Sequence, residues 1–423
     1  MSLFRLSPPR LSLARKRSSA ILAAAAVALA GLTGCGSGGG GGKTTLGFFS
    51  WDNETTMKPL IDAFEKQHPA VEIEFSNAPP VAEYISTLQT RLGSGTGADV
   101  FLIAAENKTN LIEGRFVKDL TGKPFMANVS TFNSATYAKD GKTYGMSLSS
   151  WAGGILYNDD LLAKAGVTEF PTTWDAFIAL CQKLKASGVT PFYDTATAMP
   201  LTLAALVGHE NAAKGGDVDA RIFAGGATFG ELWNGPLTTW NKLFTSGAMS
   251  KDVVGLTGAQ IVDEFAGGRV AMIAAGPWDV PNLKQKAPNL KMTFAGVPTP
   301  DGKPFWAGAA SPGYAINAKT EHPKEAEAFL TYLSSKDAVT LYNRQTAAMT
   351  TTSDVKPQLD PVLEPNFAAL EEGRFYLPQI AWERNQDALN TEAVAQIQLL
   401  VQGQAQPAAV AAALDDRLKS AGG

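Results

Sequence analysis

Cysteine is nearly absent: Cys35 and Cys181 are the two in 423 residues. A framework of several disulfides is therefore excluded as the source of stability. Histidine is as scarce, and His68, His209 and His322 stand far apart. His209-Glu210 has no second histidine four residues on, so the helical zinc-hydrolase pattern is missing. No Gly-x-Ser-x-Gly nucleophile elbow occurs. The glycine-rich "GSGTGAD" lacks a Gly-Lys-Ser/Thr ending and follows a helical pattern, which makes it a cap or loop and not a phosphate cradle. Beyond the first 34 residues no apolar run reaches the roughly 20 residues that span a bilayer. Positive charge is also in deficit. Of 36 basic residues five lie in the leader, which has no acids, so the remainder carries a net charge of −9. That excludes the basic surface that nucleic acid or anionic lipid would select. Forty acids allow many carboxylate pairs, but nothing singles one out, and a surface glycoside hydrolase or lyase stays only as an alternative. No catalytic residue, metal ligand or cofactor site is read from the sequence.

The N-terminus supplies what the rest lacks. Arg5, Arg10, Arg15, Lys16 and Arg17 precede the apolar run Ala20–Leu32. The run is too short to cross a membrane and suits the core of a signal peptide. Leu32-Thr33-Gly34-Cys35 resembles the lipobox of bacterial lipoproteins, in which the cysteine is lipidated on sulfur and becomes the mature N-terminus. Residues 1–34 then form a signal peptide, and 35–43 a lipidated Cys35 with a glycine-rich, flexible tether. This resemblance implies a body held at the outer face of the cell membrane by lipid.

The ~380 residues that follow exceed the usual size of one domain, so two lobes are expected. "TLGFF" is a short apolar strand. Met57, Leu60, Ile61 and Phe64 recur at helical spacing, and Val71, Ile73 and Phe75 alternate with acids as a half-buried strand does. Ile85, Leu88 and Leu92 mark a second helix, and "ADVFLIAAEN" is apolar throughout, as a strand covered on both faces should be. This alternation is the rhythm of a parallel α/β sheet. Later, "DGKTYGM" reads as a hairpin, "GGILY" and "RVAMIAAG" as buried strands, and Thr173–Ser187 as a helix opened by a capping threonine. Cys181 shares a helical stripe with Trp174, Phe177 and Leu184, which makes it a small buried apolar residue and not a reactive thiol. The last third is mostly helical, ending in Pro407–Ser420.

The eight tryptophans fall into two sets. Trp174, Trp233 and Trp240 lie on helical stripes and belong to the core. Trp51, Trp151, Trp278, Trp306 and Trp382 lie instead near glycine, proline or polar residues, at strand ends and in loops. In open α/β sheets, ligands collect beyond the carboxyl ends of strands, where such loops stand. A sugar ring offers a face of C–H groups and a rim of hydroxyls. An indole supplies a flat apolar surface for the face, while carboxylates and amides fork onto the rim. Asp52, Glu106, Asn107 and Asp279 adjoin these tryptophans.

The segments "GADVFLI", "DGKTYGMSLSSWAGGILYNDDLLAKAG", "FPTTWDAFIALCQKLKASG", "FAGGRVAMIAAGPW" and "KEAEAFLTYLSS" resemble the extracellular solute-binding lipoproteins of ABC sugar importers, the family of maltodextrin-binding proteins. The resemblance runs from about Thr45 to the C-terminus. It implies an α/β fold of the periplasmic-binding-protein type, with two lobes joined by two or three crossing strands and a ligand cleft between them. The expected division is a first lobe over 44–149 with a return segment 291–350, and a second lobe over 150–290 with a helical tail 351–423. The resemblance also implies the ligand-binding set Trp51, Asp52, Glu106, Trp151, Asp194, Trp278, Asp279, Trp306 and Trp382. The implied partners are a neutral di- to short oligosaccharide, the transmembrane subunits of an ABC permease, and the membrane through the lipid anchor, with no nucleic acid. A monomer is expected, outside the cell or in the periplasm. Ile103 and Trp151 depart from the maltodextrin-binding pattern, and the same receptor fold could serve a non-sugar or phosphorylated solute.

Overall fold

The computed structural model describes residues 42–346 and 348–420. The signal peptide, Cys35 and all but the last two tether residues lie outside the described residues.

The first sheet grows from the expected alternation. β1 (Thr44–Ser50), α1 (Glu54–Gln67), β2 (Val71–Asn77), α2 (Val81–Ser94), β3 (Val100–Ile103) and α3 (Lys108–Glu113) follow in order. Asn53 caps α1 by accepting the Thr56 N–H at 2.9 Å, and Met57, Leu60, Ile61 and Phe64 turn its apolar stripe onto the sheet. β1 pairs in parallel with β2 and β3, so the loops after β1 and β3 emerge at the same edge. Next come α4 (Thr131–Thr136), the hairpin β4 (Ala138–Lys139) and β5 (Lys142–Thr143), and β6 (Met146–Ser147). Asp140 and Gly141, both at positive φ, make its two-residue turn, the conformation that matches strand twist in a tight hairpin.

The second sheet is organised on β7 (Ser149–Asn158). After it run α5 (Asp159–Lys164), α6 (Trp174–Ala186), β8 (Thr190–Tyr193), α7 (Leu201–Ala213), α8 (Val218–Phe223), α9 (Phe229–Thr245), α10 (Gly258–Ala266), β9 (Val270–Ala275), α11 (Asp279–Lys286), β10 (Met292–Ala295) and β11 (Trp306–Ala310). Trp174, Trp233, Trp240 and Cys181 are all buried, as their helical spacing requires, and burial pushes the Cys181 thiol upward out of reactive range. The chain returns to the first sheet through β12 (Gly313–Ile316), α12 (Pro323–Leu333) and α13 (Lys336–Thr346). It crosses back at β13 (Met349–Thr350) and finishes with α14 (Glu364–Glu371), β14 (Phe375–Tyr376), α15 (Pro378–Ala381), α16 (Gln386–Gln402) and α17 (Pro407–Ser420). The strand orders are β2-β1-β3-β12-β6 and β14-β11-β7-β9-β8, with β10 and β13 also on β7. Each sheet carries its own hydrophobic cluster, the arrangement of two α/β lobes. No described helix is long and apolar enough to cross a membrane.

One expected boundary is corrected. Residues 291–350 do not return to the first lobe as a block: β10 pairs with β7 from Met292 opposite Asn158, and β11 pairs with it as far as Ala310 opposite Ser150. Phe294 and Trp306 are buried in the second cluster, and that burial keeps the segment there until the crossing at 311–313. Gly154 makes room for it. A Cβ at Gly154 would lie 2.4 Å from the Ala295 carbonyl oxygen and 2.7 Å from the Trp306 ring.

A buried amide pins the first of the three crossings, and that crossing in turn bonds to the other two. Asn133 Nδ2 donates to Ser147 Oγ (3.0 Å) and to the Ser149 carbonyl (2.8 Å), while Ser150 Oγ donates to Asn133 Oδ1 (3.1 Å). Ser149 Oγ reaches the Ser311 carbonyl at 3.3 Å, and the Thr351 N–H reaches the Leu148 carbonyl at 3.1 Å. Asn133→Ala strips partners from buried polar groups at the junction. It should lower stability by about 1–3 kcal/mol, read as a lower urea midpoint; an unchanged midpoint would remove Asn133 from this role.

Candidate functional site

Two loops of the first lobe carry the candidate groups. Trp51 follows β1 directly and is half-buried, its ring edge-on to Tyr84 with centroids 5.2 Å apart. The Tyr84 hydroxyl donates to the Leu102 carbonyl and accepts the Leu102 N–H, both at 2.8 Å, with the Phe49 carbonyl 3.3 Å away, and so holds the ends of β1 and β3 together. Asp52 accepts a hydrogen bond from the Tyr342 hydroxyl at 2.9 Å. Burial raises its carboxyl to about 6 despite the bonds from Tyr342 and Ser50. Glu106 lies in the loop after β3, where burial lifts its carboxyl above the usual range. A carboxylate that burial leaves poorly solvated is a ready acceptor for a ligand's hydroxyl hydrogens.

In the second lobe Trp151, on β7, and Trp278, just after β9, meet edge to face with centroids 5.2 Å apart. Trp278 is 51% exposed, and among the described residues only Phe132 matches it as an exposed large apolar side chain. Asp279 turns one oxygen onto the Gly276 N–H (3.0 Å), and burial pushes it to about 6. Because β8 runs parallel to β9, the loops after both emerge at one edge of this sheet.

Three expected site residues are corrected. Trp382 is fully buried, packed between Phe229 and Trp233 of α9 at centroid separations of 6.2 and 6.4 Å. Trp306 is 3% exposed, held beneath β7 over Gly154. Their loop-like sequence surroundings reflect the irregular chain around them and not exposure of the rings. Asp194 is also sealed: it accepts the N–H groups of Thr195 (2.8 Å) and Thr202 (3.0 Å) and the Thr202 hydroxyl. Trp240 Nε1 donates in turn to that hydroxyl at 2.9 Å. Asp194 therefore caps the start of α7 from a distance, and burial still raises it to about 6.

Sequence reasoning missed the residues that join the lobes away from the crossings. Gln386 Nε2 donates to the Ala105 carbonyl (3.0 Å), Gln386 Oε1 accepts the Thr109 N–H (3.3 Å), and the Thr109 hydroxyl donates to the Trp382 carbonyl (3.1 Å). Phe132 of α4 meets Phe375 of β14 edge to face at 5.0 Å. These partners lie more than 240 residues apart, beyond any local pattern. Glu106 sits between Ala105 and Thr109 and so stands at the lobe boundary. Cavities of about 260 Å³ beside Asp99 and Asn317 and about 300 Å³ beside Asp337 and Asp354 are not lined by any of these groups. No metal-holding cluster of acids, histidines or cysteines occurs among the described residues.

Comparison with known proteins gives one family. Residues 50–340 match the family described as bacterial extracellular solute-binding protein. The multiple sugar-binding protein of Streptococcus mutans is 26% identical over 76% of this chain and 79% of its own. The melibiose/raffinose/stachyose-binding protein MelE of Bacillus subtilis is 23% identical over 83% of this chain and 86% of its own. A family 1 extracellular solute-binding protein from Bifidobacterium longum subsp. infantis superposes with a TM-score of 0.74 at 30% identity, covering 90% of this chain and all of that one.

Two outcomes separate site from core. Trp382→Ala should cost about 3–5 kcal/mol, whereas Trp278→Ala should leave the chemical-denaturation midpoint nearly unchanged; equal losses would contradict the assignment. Asp194 has a raised carboxyl, so its contribution to stability is greatest at low pH. That contribution falls as pH rises from about 4, its unfolded value, towards about 6. Asp194→Asn should flatten that part of the stability–pH curve, and an unaltered slope would show that Asp194 does not titrate there.

Proposed function

The chain belongs to the bacterial extracellular solute-binding proteins, and on that premise we propose that it captures a neutral oligosaccharide and delivers it unchanged to the permease of an ABC importer. It is a binding protein and not an enzyme, and its place is extracellular or periplasmic. The observation that carries the sugar reading is the Trp151–Trp278 pair. One indole, 51% exposed, is braced by another at the edge where strands end. A large apolar ring left in water has no folding benefit to explain it, but it suits the C–H face of a pyranose. Asp52, Glu106 and Asp279 add acceptors for hydroxyls, each less well solvated than a free carboxylate.

A phosphorylated or anionic solute fits poorly. The acids repel it, and Lys108, the cation two residues from Glu106, is engaged with the Thr136 carbonyl. With Trp306 and Trp382 in the core, three tryptophans remain for stacking, which favours a di- or trisaccharide. Cys35 and the glycine tether would hold the body at the membrane through lipid. A monomeric state agrees with the scarcity of exposed large apolar side chains among the described residues.

Isothermal titration of the protein with raffinose, melibiose and maltotriose tests this. Binding of at least one is expected, with Trp278→Ala weakening it tenfold or more, about 1.4 kcal/mol. Silence towards all neutral sugars, with heat on adding a sugar phosphate, would overturn the ligand class.

A further inference from the structure

We infer that Tyr342 is the positioning residue for Asp52: it engages one carboxylate oxygen and leaves the other to meet a single hydroxyl of the ligand. The inference deepens the proposed sugar binding and rests on it. Asp52 lies in the short loop after β1, outside strand and helix, so nothing in a regular element fixes its side chain. Its two oxygens have different surroundings. Oδ2 accepts the Tyr342 hydroxyl at 2.9 Å and stands 3.5 Å from Ser50 Oγ, which itself accepts the Asp52 N–H at 2.9 Å. Oδ1 has no protein partner among the described residues, and it is not one of the sealed polar atoms. A carboxylate with both oxygens free can fork onto two neighbouring hydroxyls; with Oδ2 engaged, Oδ1 is what it offers.

Tyr342 suits this role because its own place is fixed from several sides. It lies on α13, which packs on α1, the helix that Asp52 leads into. The Thr346 hydroxyl donates to the Tyr342 carbonyl at 2.8 Å and accepts the Ala348 N–H at 3.2 Å, and the buried Asn343 donates to the Ala348 carbonyl. Met349 then opposes Ser150 of β7. The Tyr342 ring shares a small cavity with Ser149, Tyr314 and Thr350, so it abuts the crossings. Asp52 is thereby held relative to the junction and not merely to its own loop. Burial and the adjacent Asp52 keep the Tyr342 phenol well above its ordinary range, so its hydroxyl remains a donor at neutral pH. The ionisable groups that face Asp52 are phenols: Tyr84 of α2, Tyr314 of β12 and Tyr342 itself. Glu54, the acid that opens α1, is exposed. Hydroxyl donors, and not an ion pair, therefore favour the charged form of Asp52.

The hold on Asp52 can be measured without sugar. Carbon-13 NMR of aspartate carboxyls in the ligand-free full chain, with Asp52→Asn assigning the signal, follows its titration. The wild-type midpoint should lie at about 6. Tyr342→Phe keeps the ring and loses the donor, so the midpoint should rise; Ser50→Ala, which removes the longer contact, should raise it less. Raffinose is then titrated into each protein between about pH 5 and about pH 8. At the alkaline end, where Asp52 is ionised, Tyr342→Phe should bind roughly twofold to tenfold more weakly. Its loss of binding on acidification should set in at a higher pH than in the wild type. Thermal melts report folding separately. An unmoved Asp52 midpoint in Tyr342→Phe overturns the inference, and so does an unchanged raffinose affinity in that variant. A raised midpoint, in a wild-type protein that binds neither raffinose, melibiose nor maltotriose, supports the hold on Asp52 and counts against the sugar reading alone.

Discussion

Backbone pairing along β7 constrains both lobes. This ten-residue strand is bonded along one side to β13 and then β9, and along the other to β11 and then β10. Its first residues, Ser149 and Ser150, also belong to the junction with the first lobe. A strand paired on both edges and covered on both faces cannot shift register without exposing its apolar set. Two small residues, Gly153 and Gly154, let neighbouring groups close on it. The second lobe's sheet therefore starts from a fixed point, Ser149 and Ser150 held by Asn133.

That rigidity gives the tryptophan pair its meaning. Trp151 is carried by β7 itself and Trp278 follows β9, the strand beside it, so the two indoles are fixed relative to each other and to the junction. The first lobe offers Trp51, Asp52 and Glu106 on loops whose strand ends are clamped by Tyr84. Moving one lobe on the other changes the gap between two rigid sets and leaves the sets themselves alone. A ligand touching both then favours apposition by its differential contacts, the thermodynamic requirement for closure around a solute.

Much of this was legible in the sequence, for reasons that also explain the errors. Helical spacing placed Trp174, Trp233, Trp240 and Cys181 in the core, because periodicity reports which way a side chain faces on a regular element. The β1–α1–β2–α2–β3 rhythm could be read because each element is long enough to repeat its pattern. Trp306 and Trp382 were misread where no pattern exists. Both sit beside irregular chain, and only tertiary packing, Gly154 under one and α9 around the other, decides their burial. Asp194 looked like a cleft acid because capping an element that starts several residues later leaves no sequence signal. The Gln386–Thr109 contact spans 277 residues and was invisible for the same reason.

The whole reading turns on carbohydrate entering the gap and leaving it chemically intact. Native mass spectrometry of the protein with a panel of neutral di- and trisaccharides, followed by release and mass measurement of the bound sugar, addresses that most directly. One sugar bound per chain and recovered at its original mass is the expected result. No adduct with any neutral sugar, or recovery of shortened products, would contradict it.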